Sequence, residues 1–230
     1  MKHQSQLILI PCLLLAGVTS LMAETASDRL QESAVVLKEI LSAPDQSIPQ
    51  DLLNDAHCVV VVPGMKKAAV LVGAKYGRGF TICRQDTRSG WGAPAAVRIE
   101  GGSFGFQIGA SETDVVRLVM NRRGMEKLLQ SKFTLGGAAE VAAGPVGRSS
   151  TAQTDAKMTA KILSYSRSRG VFAGVSLQGA TLRQDLDENR DLYGKQITNR
   201  QIVTKRTKAP AAASELLEVL NLHFRHESGH

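Results

Sequence analysis

Glycine recurs inside a segment that otherwise reads as β-strand. In SRGVFAGVSLQGATL, residues 168–182, Val171, Phe172, Val175, Leu177 and Leu182 supply apolar bulk, yet Gly170, Gly174 and Gly179 interrupt it. Glycine inside a strand weakens pairing unless the backbone must bend or another chain must come close. The chain holds 21 glycines, and more of them fall at GAKYGRG (73–79), where two expected strands join, and in the small-residue stretch GGAAEVAAG (136–144). A flat sheet would not keep them. They call for a strongly curved sheet, bent where a Cβ would clash.

The rest of the chain sets the frame for that sheet. Lys2 and an apolar run from Leu7 to Met22, ending at Leu21-Met22-Ala23, have the layout of a secretory signal peptide. Removal near Ala23, with no lipid anchor, is the expectation. An uncleaved membrane anchor is the alternative. Residues 24–230 then form one domain, with a core at about 26–222, in a periplasmic or secreted protein. Two cysteines remain, Cys58 and Cys83. An even pair in an exported chain invites a disulfide, and two buried thiols are the other reading.

Thr25-Ala26-Ser27-Asp28 resembles a capping box before a helix whose apolar positions are Leu30, Ala34, Leu37 and Leu41. A short helix follows at 49–56. Strands are expected at 58–62, 68–76, 79–84, 95–100, 103–108, 113–120 and 156–165, with Pro63-Gly64 a turn and Gly77-Arg78-Gly79 a joint. A helix is expected at 122–130, and another at 185–193 packing Leu186 and Tyr193 inward. Residues 204–213 read as a basic linker, after which Ser214 caps a last helix. The fold class is α+β: a single domain with a curved, glycine-rich, mostly antiparallel sheet, barrel-like if its curvature closes, flanked by N- and C-terminal helices.

The sequence carries little catalytic chemistry. GAKYGRG lacks dinucleotide-binding spacing, and there is no P-loop. His57, beside a strand, reads as structural; His223, His226 and His230 read as a solvated tail and not as metal ligands. Asp185, Asp187, Glu188 and Asp191 read as a solvated helical face. The chain is expected to be no enzyme, and to need no metal or cofactor. An outer-membrane barrel is set aside because aromatics are only 4% and glycines break the strands.

Charge points to a partner instead. The chain carries +7, and residues 24–56 hold seven acidic against two basic side chains, a balance of −5. With Lys2 removed, the remainder carries +11. Such asymmetry suits an anionic partner, and in an exported protein an acidic lipid surface fits better than nucleic acid. The candidate lipid-binding residues are Lys66, Lys67, Arg78, Arg148, Arg167 and Arg169, all at expected strand ends or turns. Trp91 reads as partly buried core or as an interfacial anchor.

Four blocks in register, SGWGAPAAVRI (89–99), FGFQIG (104–109), TLGGAAEVAAGPVGR (134–148) and SRGVFAGVSLQG (168–179), together with Asn189-Arg190-Asp191-Leu192-Tyr193, resemble the SYLF domain in its bacterial exported branch. The family also occurs in eukaryotic adaptors of actin patches and endosomes. The resemblance implies a non-catalytic module that binds anionic phospholipid, especially phosphoinositides, and in fungal members binds and bundles actin. The alternative function is a structural or protein-interaction module without a lipid ligand. The chain departs from the animal members at residues 27–42, where Asp28, Glu32 and Glu39 make the helix's polar face acidic. Binding is therefore expected through the body of the domain.

Overall fold

The computed structural model describes residues 24–43, 48–70, 72–85, 90–104, 109–134, 141–143, 162–168, 171–174 and 180–224. The expected signal peptide, Arg148 and Arg169 lie outside them.

Helix α1 (Ala26–Ser42) starts at the capping box: Thr25 Oγ1 accepts the Asp28 N–H at 3.1 Å, and Asp28 Oδ2 accepts the Thr25 N–H in return. Its stripe of Leu30, Ala34, Val36, Leu37 and Ile40 is buried. Helix α2 (Gln50–Asp55) leads into β1 (Cys58–Val70), β2 (Val72–Cys83), β3 (Ala95–Phe104) and β4 (Gly109–Val119). After α3 (Arg122–Leu128) come β5 (Lys132–Thr134), β6 (Val141–Ala143), β7 (Ile162–Ser168), β8 (Val171–Gly174) and β9 (Thr181–Gln184). The chain ends with α4 (Leu186–Tyr193), α5 (Asn199–Thr204), a 3-10 turn (Ala211–Ala213) and α6 (Ser214–His223).

Among the described residues nine strands join one sheet in the order β5-β9-β3-β2-β1-β4-β7-β6, with β8 on β7. Every pairing among them is antiparallel except β6 with β7. Among these residues β5 and β6 do not pair, so the sheet is open. This is the expected α+β domain with helices at both ends.

Several boundaries differ from the sequence reading. Pro63-Gly64 is not a turn. It is a bulge inside β1, where pairing to both neighbours slips by one residue. Proline lacks the ladder N–H and is tolerated in a sheet at such a bulge, and Gly64 takes φ +52°, which glycine adopts cheaply. The hairpin instead reverses between Val70 and Val72, inside the stretch expected to be one strand. Gly77-Arg78-Gly79 lies within β2. The 168–182 stretch is also no single strand. Ser168 pairs with Val171, so the chain turns back there, and β9 pairs with β3 on the far flank.

The glycines of β2 show why the sheet needs them. A Cβ on Gly79 would sit 2.0 Å from the Val61 carbonyl oxygen and 2.7 Å from Val62 Cα. One on Gly77 would meet Val62 Cγ1 at 2.8 Å and Met65 Cγ at 2.9 Å. At the bulge, β1 folds down onto β2, and only glycine leaves room.

Two apolar layers result. On the helix face, Val59, Val61, Phe80, Ile82, Val116 and Leu118 pack against α1, α2 and α6. On the inner face, over which the sheet folds, Val60, Val62, Met65, Val97, Ile99 and Val115 pack with Leu182 and with Leu128 of α3. Cys58 and Cys83, register partners on that face, are bonded as a disulfide, which decides between the two sequence readings. Trp91 is core: it meets Phe224 edge-on at 5.4 Å, with the Arg84 guanidinium 4.6 Å above its ring.

Candidate functional site: basic groups and their partners

The sequence-selected cations separate into two kinds. Arg78, in β2, sends Nε to Asp185 at 2.8 Å and Nη2 to Glu188 at 2.7 Å. Arg29 of α1, itself buried, binds the other Glu188 oxygen and reaches Glu24 at 3.0 Å. Asp185 also caps α4 by accepting the Glu188 N–H at 3.2 Å. Asp185 and Glu188 are only 1% and 3% exposed, so these two are not the solvated face expected from sequence. Leu186, expected to point inward, is 37% exposed. A helix capped by a buried aspartate turns its ion-pairing side to the sheet and its leucine to solvent. Burial pushes the Asp185 carboxyl up, but the Arg78 guanidinium and the Glu188 N–H outweigh it and hold it below the usual range. For Glu188 burial wins over Arg29 and Arg78, and its carboxyl is raised.

Arg167, in β7, is engaged likewise. Its Nη2 lies 2.6 Å from Asp114 of β4 and its Nη1 meets Glu39 of α1. Asp114 in turn accepts the Gly64 N–H at the bulge. Arg78 and Arg167 therefore brace the fold, each with carboxylates beside it.

Lys66 and Lys67 lie near the free end of the β1–β2 hairpin. Lys66 pairs in register with Tyr76, which is 50% exposed, and with Glu112. Lys67 stands opposite Lys75. Burial, and then the Lys67 charge, lower the Lys75 pKa. The structure thus sets Lys67 opposite Lys75, with Lys66 on the other face of the same hairpin end, and leaves Arg78 and Arg167 elsewhere.

A second basic locus was missed. Behind α4 and α5 is a groove of about 580 Å³, lined by Tyr193, Lys195, Gln196, Gln201, Lys205 and Lys208 among others. Among the described residues no carboxylate stands within ion-pair distance of Lys195, Lys205 or Lys208. The groove is held by a polar lattice. Asn189 accepts the Ala96 N–H at 2.8 Å and donates to the Ile197 carbonyl and to Asn199 Oδ1, while Asn199 donates to the Ala96 carbonyl. Tyr193 OH donates to the Pro94 carbonyl. These bonds fasten residues 189–199 to the start of β3, so the lysines project from a fixed frame. The sequence signal for this site is the basic stretch 204–213, of which Lys205, Thr207 and Lys208 line the groove.

Among the described residues no three His, Cys, Asp or Glu side chains are grouped to hold a metal, and no helix is long and apolar enough to cross a membrane.

The family model described as "Ysc84: Las17-binding protein actin regulator" matches residues 100–223, over half of the chain. The chain belongs to this family, the Ysc84 or SYLF domain family. It is 37% identical over 177 residues to the SH3 domain-containing protein PJ696.02 of Schizosaccharomyces pombe, covering 76% of this chain and 41% of that protein. Protein YSC84 of Saccharomyces cerevisiae is 30% identical over 212 residues, 89% of this chain and 45% of the relative. The human SH3 domain-containing YSC84-like protein 1 is 33% identical over 197 residues, 83% and 57% respectively. The chain spans about half the length of these relatives. All three are eukaryotic, so they speak for the family and not for its exported bacterial branch.

Proposed function

We propose that this chain is a non-catalytic binding module that docks an acidic protein surface through the groove behind α4 and α5. The observation that carries this reading is the trio Lys195, Lys205 and Lys208, three cations without carboxylate partners among the described residues, on a frame fixed by Asn189 and Asn199. The family description, which names an actin regulator that binds Las17, supports a protein as the partner. Filamentous actin is the acidic probe to use. The full chain should pellet with filaments in low salt, and K195E/K205E/K208E should lose most of that pelleting while unfolding at the same temperature. Wild-type protein that stays in the supernatant, or a triple variant that pellets undiminished, would overturn the reading.

An acidic lipid surface is the second reading, supported by Lys66, Lys67 and Lys75 gathered at one hairpin end beside exposed Tyr76. Each cation near such a surface contributes about 1 kcal/mol, less at high salt. K66E/K67E/K75E should then abolish pelleting with phosphatidylserine-containing vesicles. Retained vesicle binding would remove this reading without touching the first.

We also infer export, with cleavage near Ala23. The Cys58–Cys83 disulfide supports it, since such bonds persist in oxidising compartments. N-terminal sequencing of exported protein tests it, and an intact Met1 would refute it.

A further inference from the structure

Arg117 is the least expected residue of the inner face. It lies in β4 between Val116 and Leu118, which face the helices, so by strand alternation it shares the inner face with Val115 and Val119. It is 1% exposed. Among the described residues neither its Nε nor its Nη2 has a hydrogen-bond partner. Its register partner on β7 is Ser164, fully buried, whose Oγ also lacks a partner. The row continues through Val60 of β1 to Thr81 of β2.

Elsewhere this fold pairs its buried arginine: Arg29 has Glu188 and Glu24. An ionised guanidinium buried without a counter-charge is costly, and buried polar groups are ordinarily satisfied. Here two guanidinium donors and a hydroxyl stand side by side, the donor set that suits a planar or tetrahedral oxyanion. Val60, Val115 and Val119 around them suit an apolar chain.

We propose that Arg117 and Ser164 form an anion site inside the fold, taking one carboxylate or phosphate group, as a free ion or as the head of an acidic amphiphile. The site is separate from the lysine groove and stands or falls independently of it.

Thermal unfolding and calorimetric titration of the full chain test the site, with inorganic phosphate in one arm and decanoate below its micelle concentration in the other. Wild-type protein should be stabilised by at least one probe. Stabilisation by phosphate identifies a free ion; stabilisation by decanoate alone identifies an amphiphile. R117M should fold, be no less stable than wild type in anion-free buffer, and bind the effective probe at least tenfold more weakly. R117K, which keeps the charge but loses the fork, and S164A should each weaken binding several-fold, and they serve if R117M does not fold. K195E/K205E/K208E should bind the probe normally. No stabilisation by either probe, undiminished binding in R117K and S164A, or an R117M protein markedly less stable without anion would overturn the proposal.

Discussion

The Arg78 Nε lies 2.8 Å from the Asp185 carboxylate, tying the centre of the sheet to the cap of α4. Because Glu188 sits between Arg78 and buried Arg29, the three elements α1, β2 and α4 share one ionic junction. Removing one partner of a buried pair leaves a charge uncompensated, so R29M, which strips buried Glu188 of one of its two arginines, should lower the unfolding free energy by about 3 kcal/mol in urea titrations. An R29M/E188Q double variant should recover part of that loss.

Acid should open the same junction. The folded-state pKa of Asp185 is depressed, so its contribution is complete above the ordinary carboxylate range, near pH 4, and is lost as pH falls through the folded value. D185N keeps a good helix cap but no charge. Its stability should decline less steeply than that of wild type below about pH 4, as read by circular dichroism.

Much of this junction was present in the sequence, but its meaning was hidden. By spacing alone the two acids read as a solvated face and Arg78 as a lipid contact. One-dimensional spacing places Asp185 before a helix; it does not show that Arg78, 107 residues earlier, meets it. The helix stripe of α1 rests on local pattern and is legible; parity allows a Cys58–Cys83 bond without deciding it. Pro63-Gly64 was misplaced because a bulge and a turn use the same residues and differ only in whether pairing resumes. The groove was hidden for a further reason: Lys195, Lys205 and Lys208 come together only because Asn189 and Asn199 fold their loops onto β3.

Gly79 should tolerate no side chain. The Val61 carbonyl that an added Cβ would strike is backbone, held in the ladders of β1 to both β2 and β4. G79A should lose more than about 3 kcal/mol or fail to fold, beyond the ordinary cost of overpacking. G102A is the control. Its Cβ would meet nothing closer than 3.9 Å, and its unfolding midpoint should stay within a degree or two of wild type.

The disulfide closes a separation of 25 residues between adjacent central strands. In the chain-entropy account a loop of this size contributes about 3 kcal/mol, so C58S/C83S should fold with its stability reduced by that order. Both sulfurs are buried, and thiol titration of native wild type should find no reactive group at either position, before reductant or for some time after it.

Arg117 should reveal itself at high pH. Burial pulls its guanidinium far below the ordinary arginine value, to about 9. Between those values the unfolded chain binds more protons than the folded one, so stability rises as pH climbs through that window. Below about 9 the full penalty applies. In anion-free buffer the stability of wild type relative to R117M should therefore increase from about pH 8 to pH 10. A flat difference would show that the charge is already compensated.

The strand order has a consequence for how the chain is made. Residues 58–119 form a four-stranded unit in Greek-key order, β3-β2-β1-β4, while β9 and β7, which cover its two flanks, come later. During synthesis from the N-terminus this unit leaves the ribosome with both outer ladders bare, and bare edges are templates for joining other chains. They stay so until residues 162–184 emerge. A recombinant fragment cut at the family-model boundary, residue 100, would have the opposite defect: it would carry both closing strands and neither central one, β1 or β2. The nascent chain thus passes through an interval of edge exposure that ends only when its last third arrives, and a holdase chaperone would shorten the risk more than it would the folding time.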